Sequence, residues 1–286
     1  MNKNVQKWVI LLAPLVLICC VLFNKVLFED SLFQGGDSLS PKAVRLGIEN
    51  AIHEFGEYPL WMPWIFSGMP SVHSFQNISE YYLPHLAMKV LMSVGIPQFW
   101  EFIFHFIFAA FGMIFLLRYL KVRDSIAFFG GVTYMMMPYL VTMIVHGHGS
   151  QMMTTAFIPW VIWAVIRLKD TPNLSNMGIV ALLMGLQLQR AHVQIAYYTW
   201  MLVGLYIAMN IIFHYIDKNK GKPELLIFVI PAFVLAIGMS MWIYLPATSY
   251  TPFSIRGAGG GGGTGLEYAT QWSFSMGEML TFINPS

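Results

Sequence analysis

The chain has 286 residues, of which 57% are hydrophobic and only 10% are charged, with a formal net charge of +2 and a mean hydropathy of +0.61. Soluble domains are normally about one quarter charged, so this composition excludes an ordinary soluble protein and predicts an integral membrane protein. The small net charge and the lack of a basic patch interleaved with aromatic residues give no indication of nucleic-acid binding.

Seven apolar stretches are long enough, or nearly long enough, to cross a bilayer as helices of about 20 residues. The fourth and fifth are short, and the full set is 8–28, 97–117, 125–145, 153–167, 177–189, 192–215 and 225–247. We therefore expect an all-α integral membrane protein with about seven transmembrane helices.

These stretches divide the chain into four predicted parts. Residues 1–29 form a signal-anchor helix, because the apolar stretch is too long for a signal peptide and no small-x-small cleavage site follows it. Residues 30–96 form a large first extracytoplasmic loop, residues 97–247 contain six further transmembrane helices, and residues 248–286 form a glycine-rich extracytoplasmic segment.

The basic residues indicate the orientation in the membrane. If the N-terminus is cytoplasmic, the positive charges of the short connections collect on the cytoplasmic side: Lys3, Lys7, Arg118, Lys121, Arg123, Arg167, Lys169, Lys218, Lys220 and Lys222. Most acidic residues then lie on the opposite side, many of them in the loop 30–96. This asymmetry predicts that the long loop is extracytoplasmic.

The loop 30–96 is predicted to contain two short amphipathic helices. The first begins with the capping signal Ser40-Pro41 and ends at Gly56, and the second covers residues 79–95. Apolar residues recur at helical spacing in both, which is typical of helices that lie in the headgroup plane of a membrane.

Residues 58–70, between the two predicted helices, contain prolines and a glycine that predict irregular structure. Trp61 and Trp64 lie in this segment. They fit either an aromatic belt at the membrane interface or a wall on which a sugar ring or a lipid stem stacks.

Two further polar turns are predicted on the outer side. One contains His146 and His148, which fit either metal ligands or solvated polar residues of a turn. The other contains Arg190 and His192. Because an arginine costs about 2.5 to 3.5 kcal/mol at the bilayer centre, Arg190 either lies at the water boundary as a snorkelling residue or lines a hydrated cavity and holds a phosphate.

The last segment contains Arg256 and a glycine run at 257–265. Glycines allow backbone N–H groups to approach an anion, but no Gly-Lys-Ser/Thr closes the run as in a P-loop. The chain stops directly after an apolar stretch, so we expect it to be the N-terminal part of a longer protein.

Five segments together resemble the bacterial YfhO-like membrane proteins, a family similar to the GT-C glycosyltransferases. They are Gly-Gly-Asp-Ser-Leu-Ser-Pro at 35–41, the segment 58–70, the Gly-His at 147–148, the segment 189–198 and Tyr-Ala-Thr-Gln-Trp-Ser at 268–273. The resemblance covers essentially the whole chain. It implies a GT-C-like module of seven helices with juxtamembrane helices in a large first external loop.

The resemblance also implies an inverting transfer of a sugar from a polyprenyl-phosphate carrier to an acceptor of the cell envelope, outside the bacterial cytoplasmic (inner) membrane. The usual catalytic group is an acidic residue of the first external loop, and the matching residue is Asp37. Asp30 is a second candidate, and capping of the following helix is an alternative role for Asp37. A divalent cation stays open as a cofactor, because the loop shows no pair of neighbouring carboxylates.

Such a reaction needs a carboxylate to take the proton of the acceptor hydroxyl, and positive charge or N–H donors for the departing lipid phosphate. Asp37 meets the first need. His148, Arg190, His192 and Arg256 are candidates for the second. A transporter or flippase for a lipid-linked saccharide is the alternative function, although the polar residues lie at the ends of the spans rather than at their midpoints. A non-catalytic membrane scaffold is a third possibility.

Overall fold

The structure, a computed structural model, describes residues 3–29, 31, 33, 36–74, 82–217, 221–254, 257, 266, 270–271 and 273–282. It is mostly helical. The helices of the first half are α1 (Lys3–Leu22), α2 (Asn24–Phe28), α3 (Gly36–Phe55), α4 (Leu83–Ser93), α5 (Trp100–Tyr119), α6 (Asp124–Met135) and α7 (Pro138–Val145). Those of the second half are α8 (Gly149–Ala156), α9 (Ile158–Asp170), α10 (Leu174–Gln189), α11 (Val193–Ile216), α12 (Leu225–Gly238), α13 (Met241–Tyr250) and the single turn α14 (Met276–Met279).

Four helical segments are long and apolar enough to cross a membrane: Trp100–Tyr119, Asp124–Val145, Gly149–Asp170 and Val193–Ile216. A fifth is formed if α12 and the helix that follows it count as one span, although they are bent by 64°. Two more apolar helices, Ile10–Leu22 and Leu174–Gln189, are shorter. The chain is therefore a membrane-embedded helical protein with four or five candidate spans in its described residues, and seven spans stay a prediction.

Prolines mark the breaks within the predicted spans. Pro138 and Pro159 each lie in the first turn of the second half of a broken helix, after α6 and after α8. A proline has no N–H for the helix and restricts the residue before it, so it tends to start a new helical segment. α12 and α13 meet at Met239 and Ser240, and the Ser240 hydroxyl donates to the carbonyl of Gly185 at 3.2 Å.

The helices enclose two apolar clusters that meet at Phe108. The first joins α9, α10, α11 and α12 around Phe157, Leu168 and Met184. The second joins α1, α5, α7 and α8 around Phe106 and neighbouring side chains. α5 packs against α1, α6, α8 and α9, so it is the central helix and fixes where its two ends lie.

The outward faces of α11 and α12 are apolar as well. Their exposed large side chains include Met201, Leu205, Met209, Ile212, Ile227, Ile230 and Val234. In water such faces would favour aggregation, whereas lipid tails solvate them. This exposure agrees with the composition in indicating a membrane-embedded protein.

The first amphipathic helix differs from its prediction at one end. α3 begins at Gly36, so Ser40 is not its N-cap and Pro41 lies within the helix. The serine-proline signal also fits a proline a few residues inside a helix, and this explains the error. The predicted end is confirmed, since Gly56 has φ +75° and its N–H donates to the carbonyl of Ile52 at 2.8 Å.

The segment after α3 is more regular than predicted. Strands β1 (Trp61–Met62) and β2 (Met69–Pro70) form a short antiparallel pair, with Trp61 opposite Pro70. The chain reverses through Phe66, Ser67 and Gly68, all with positive φ. The prediction of irregular structure was therefore wrong for these two strands.

The second amphipathic helix, α4, is shorter than predicted and ends before Gly95, which has φ +92°. Part of the predicted start lies outside the described residues. Leu83, Leu86 and Val90 are exposed, while His85 and Met88 on the other face are buried. Its predicted apolar stripe thus faces outward, as expected for a helix that contacts a membrane surface.

Candidate functional site

Asp37 and His148 meet where α3 lies against the ends of the membrane helices. Oδ2 of Asp37 is 3.4 Å from Nε2 of His148, close enough for an ion pair when the imidazole is protonated. Both side chains are accessible, with 70% of Asp37 and 45% of His148 exposed. The structure therefore brings together two candidate residues that are 111 positions apart in the sequence.

The local backbone explains both positions. Asp37 is in the first turn of α3, where a negative charge interacts favourably with the helix dipole. Pro41 has no N–H, so the carbonyl of Asp37 receives no helical hydrogen bond from it. His148 follows Gly147, whose φ of +88° turns the chain between α7 and α8, and it precedes the first residue of α8. Each side chain is thus placed by a helix terminus.

A second polar contact holds α3 to the membrane helices. Nη1 of Arg45 donates to Oε1 of Gln98 at 2.6 Å, just before α5 begins. Arg45 lies eight residues after Asp37, about two helical turns along α3. The two contacts therefore attach α3 to the bundle at two points along its length.

A cavity of about 380 Å³ lies between these two contacts. Its polar lining comes from Ser31, Asp37, Lys42, Arg45 and Gln98, and its apolar lining includes Val26, Phe33, Phe99, Phe102 and Ile144. Gly147 and Gly149 complete the lining. The volume is within the usual range for small-molecule sites, about 300 to 1,000 Å³. An amphiphilic ligand with a charged head and an apolar stem fits this distribution.

Gly149 allows the close packing on one side of the cavity. A Cβ atom at Gly149 would lie 2.5 Å from Cε1 of Phe102, so α8 approaches α5 more closely than any larger residue permits. Phe102 is itself part of the cavity lining. The glycine therefore fixes the position of the aromatic wall.

A buried polar cluster, which the sequence analysis missed, lies around the start of α5. Nδ1 of His85 is 3.0 and 3.1 Å from the two carboxylate oxygens of Glu101, and both side chains are 6% exposed. Nδ1 of His105 donates to the carbonyl of Glu101 at 2.6 Å. Nε2 of His105 is therefore the acceptor for the Tyr82 hydroxyl, at 2.7 Å. Burial raises the pKa of Tyr82, so its phenol stays protonated and donates.

The signal for this cluster was present in the sequence. Glu101 and His105 are four residues apart on a helix that is otherwise almost wholly apolar, and ionisable residues in such a helix mark buried polar contacts. The spacing places both on one face of α5. Their partners, Tyr82 and His85, lie at the start of α4, where the sequence shows no comparable pattern.

Arg190 belongs to this buried cluster and not to the cavity. Its Cζ lies 4.7 Å from the centre of the Tyr82 ring, a cation–π contact, and the residue is 5% exposed. Burial lowers the pKa of its guanidinium, whereas nearby Tyr82 and Glu101 raise it. Within the described residues, Nε and Nη1 are buried without a hydrogen-bond partner. The alternative of a snorkelling arginine is therefore wrong, since the side chain does not reach the surface.

His192 follows Arg190 by two residues and interacts electrostatically with His148. Among the residues that the structure describes, its Nδ1 is buried without a hydrogen-bond partner. Ala191, between Arg190 and His192, has φ +54°, a conformation that L-residues with a Cβ seldom adopt. The turn that links Arg190 to His192 is therefore strained, as is often seen near functional sites.

The predicted tryptophan wall lies away from this cavity. Trp64 packs on Gly47 of α3, where a Cβ would lie 2.6 Å from the indole ring, and Trp61 packs on Gly68 in the same way at 2.5 Å. The aromatic lining of the cavity consists of phenylalanines instead. Arg256 and Asp30 lie outside the described residues.

Within the described part of the chain, no group of three or more His, Cys, Asp or Glu side chains is arranged to hold a metal ion. His148 and Asp37 supply two such side chains, fewer than a protein-built site for a divalent cation normally uses.

The chain was compared with protein-family models, with curated proteins and with solved structures, and no match was found in any of the three comparisons.

Proposed function

We propose that the protein is a membrane glycosyltransferase that moves a sugar from a polyprenyl-phosphate donor to an extracytoplasmic acceptor of the bacterial cell envelope. The observation that carries the proposal is the contact of Asp37 with His148 at the edge of an amphiphilic cavity. The motif resemblance, which singles out the same carboxylate, adds to it.

In the proposed reaction the acceptor hydroxyl attacks the anomeric carbon of the sugar with inversion. The bond from that carbon to the phosphate oxygen breaks, and the lipid phosphate departs with the electron pair. Asp37 accepts the proton of the attacking hydroxyl. His148 orients the carboxylate from 3.4 Å, and the exposure of both side chains leaves room for the acceptor.

The polar contacts at the two ends of α5 support the proposed orientation of the protein in the membrane. Gln98 and the cavity lie at the N-terminal end of α5, whereas Tyr119 at the other end donates to Asp170 at 2.9 Å, and Lys222 donates to the carbonyl of Asp170 at 3.0 Å. A helix of 20 residues separates these ends by about 30 Å, the thickness of a bilayer core. We propose that the cavity faces the extracytoplasmic side of the inner membrane and the Tyr119 end faces the cytoplasm.

Sugar transfer tests this proposal directly. Membranes that contain the full-length protein are incubated with a panel of radiolabelled polyprenyl-phosphate sugars, and transfer to envelope material is measured at equal protein abundance. We expect wild type to transfer one of the sugars, and Asp37→Asn to reduce the rate by about 100-fold or more, because the proton acceptor is lost. Asp124→Asn, which removes an exposed carboxylate at the other end of α5, is the matched control.

Equal rates for wild type and Asp37→Asn would contradict the catalytic role of Asp37. Absence of transfer from every donor would contradict the glycosyltransferase and favour a transporter or a scaffold.

One observation favours the transporter as the second candidate. The 64° bend between α12 and α13 lies beside the buried cluster, since Gln189, next to Arg190, donates to the carbonyl of Met239 at 3.0 Å. Broken helices next to buried charges are common in secondary transporters. Uptake or flipping of a fluorescent lipid-linked saccharide in proteoliposomes distinguishes this function, because it needs no chemical change in the substrate.

A further inference from the structure

Two groups of cations are available for the phosphate of a lipid donor, and the structure separates them. Nε and Nη1 of Arg190 are enclosed by protein atoms, so a phosphate reaches them only after Tyr82 and its neighbours move. Lys42 and Arg45, in contrast, are exposed residues that line the cavity next to Asp37. The sequence analysis did not consider either of them.

We infer that Lys42 and Arg45 form the subsite that binds the single phosphate of a polyprenyl-type lipid, with the first part of its apolar stem against Phe99 and Phe102. The inference rests on the proposed function and names residues and a ligand chemistry that the proposed function leaves open.

The spacing on α3 suits this role. Lys42 and Arg45 are three residues apart, so they share one face of the helix. Arg45 uses Nη1 to donate to Gln98, which holds the side chain in place and leaves its other N–H groups free to donate to phosphate oxygens. Gln98 is therefore a positioning residue for Arg45.

The charges of the lining complement a phosphate diester. Lys42 and Arg45 contribute two positive charges and Asp37 one negative charge, which leaves one net positive charge for the one negative charge of the diester. A carboxylate beside two cations is also what the proposed reaction needs, because the phosphate leaves on one side of the sugar and the acceptor hydroxyl approaches from the other.

The apolar lining accounts for the lipid. Phe33, Phe99, Phe102 and Ile144 contribute side chains with no hydrogen-bonding groups, opposite the charged face of α3. Inorganic phosphate or a free sugar phosphate leaves this surface in contact with water, whereas an isoprenoid stem covers it. A ligand with both a phosphate and an apolar stem therefore matches the cavity better than either part alone.

Direct binding tests the inference. Purified full-length protein in detergent is titrated with farnesyl phosphate, with farnesol and with inorganic phosphate, and binding is followed by calorimetry. We expect wild type to bind farnesyl phosphate more tightly than the other two probes. Lys42→Ala and Arg45→Ala each weaken that binding by about 10-fold, and the double variant by more, because a charge-assisted contact is lost each time. Binding of farnesol should not change.

Four further variants control the experiment. Arg123→Ala removes an exposed arginine far from the cavity and should bind as wild type. Lys42→Arg and Arg45→Lys keep the charge and should retain most of the affinity, which separates loss of a ligand from loss of the fold. Gln98→Ala should weaken binding less than Arg45→Ala does.

Wild-type affinity of the double variant for farnesyl phosphate would overturn the inference, and so would a loss of binding only in Arg190→Gln. The outcome is independent of sugar transfer. If farnesyl phosphate binds through Lys42 and Arg45 while no donor supports transfer, the proposed function fails and the phosphate subsite stands.

Discussion

Asp37 combines a high exposure with a defined partner, and this combination separates it from a helix cap. An aspartate that caps a helix precedes it, and its carboxylate oxygens accept hydrogen bonds from backbone N–H groups. Asp37 instead lies inside the first turn of α3, and its Oδ2 lies 3.4 Å from the imidazole of His148. The contact joins two chain segments that are otherwise only loosely connected. The capping alternative therefore does not account for the contact with His148.

Gly149 provides a test of the cavity at the scale of one residue. In Gly149→Ala the new methyl group would meet the ring of Phe102 at 2.5 Å, so the ring has to move or the helices have to separate. We expect weaker binding of farnesyl phosphate and a loss of about 1 to 3 kcal/mol in stability, the usual cost of overpacking. Calorimetry and thermal unfolding in detergent measure the two effects.

Gly178→Ala is the matched control, because in the described part of the chain no atom outside its own helix turn lies within 4 Å of the Cβ position at this glycine. It should be neutral or stabilise the protein by up to about 1 kcal/mol. If both alanine variants behave alike, the close packing of Gly149 on Phe102 does not shape the cavity.

At the scale of elements, the buried cluster connects the start of α4 to the central helix α5. Tyr82 and His85 lie at the start of α4, Glu101 and His105 on α5, and Arg190 at the end of α10. Three helices are thus held in one arrangement by polar contacts that exclude water. A buried charge that is only partly paired, such as that of Arg190, destabilises the folded state. The nearby carboxylate of Glu101 is therefore expected to stabilise it.

Glu101→Gln tests that role. Removal of the charge leaves the guanidinium of Arg190 without its nearby anion and weakens the contact with His85. We expect a loss of about 3 to 5 kcal/mol, as for other broken buried pairs. Asp124→Asn breaks the more exposed pair with Arg118 and should cost less than about 1 kcal/mol. Equal unfolding midpoints of wild type and Glu101→Gln in a detergent titration would contradict a stabilising role of Glu101.

The local signals predicted the helices α3 and α4 but not their starts. Apolar periodicity found both, and glycines marked where each ends, since Gly56 and Gly95 have positive φ. The start of α3 was missed because a serine-proline pair fits both an N-cap and a proline inside the helix. Polar pairing across elements, as between Tyr82 and His105, leaves no pattern within either segment and needs the folded chain.

At the scale of the whole molecule, composition alone was sufficient to predict a membrane-embedded helical protein. The number of spans is less accessible, because several helices are interrupted at positions such as Pro138, Pro159 and Met239, and a hydropathy window does not show a 64° bend. The candidate site can be predicted from the sequence only in part. Asp37 and His148 stand out in sequence, while Lys42, Arg45 and the phenylalanine wall become visible only when α3 lies on the bundle.

In the proposed reaction Asp37 and His148 act as one unit at the edge of the cavity, and a double-mutant cycle on sugar transfer tests this most directly. Rates are measured for wild type, Asp37→Asn, His148→Gln and the double variant, at saturating donor and equal abundance. Because residues that act together lose their effect together, we predict that the double variant is no slower than the worse single variant. Rate losses that multiply in the double variant, or a His148→Gln variant as active as wild type, would contradict the account.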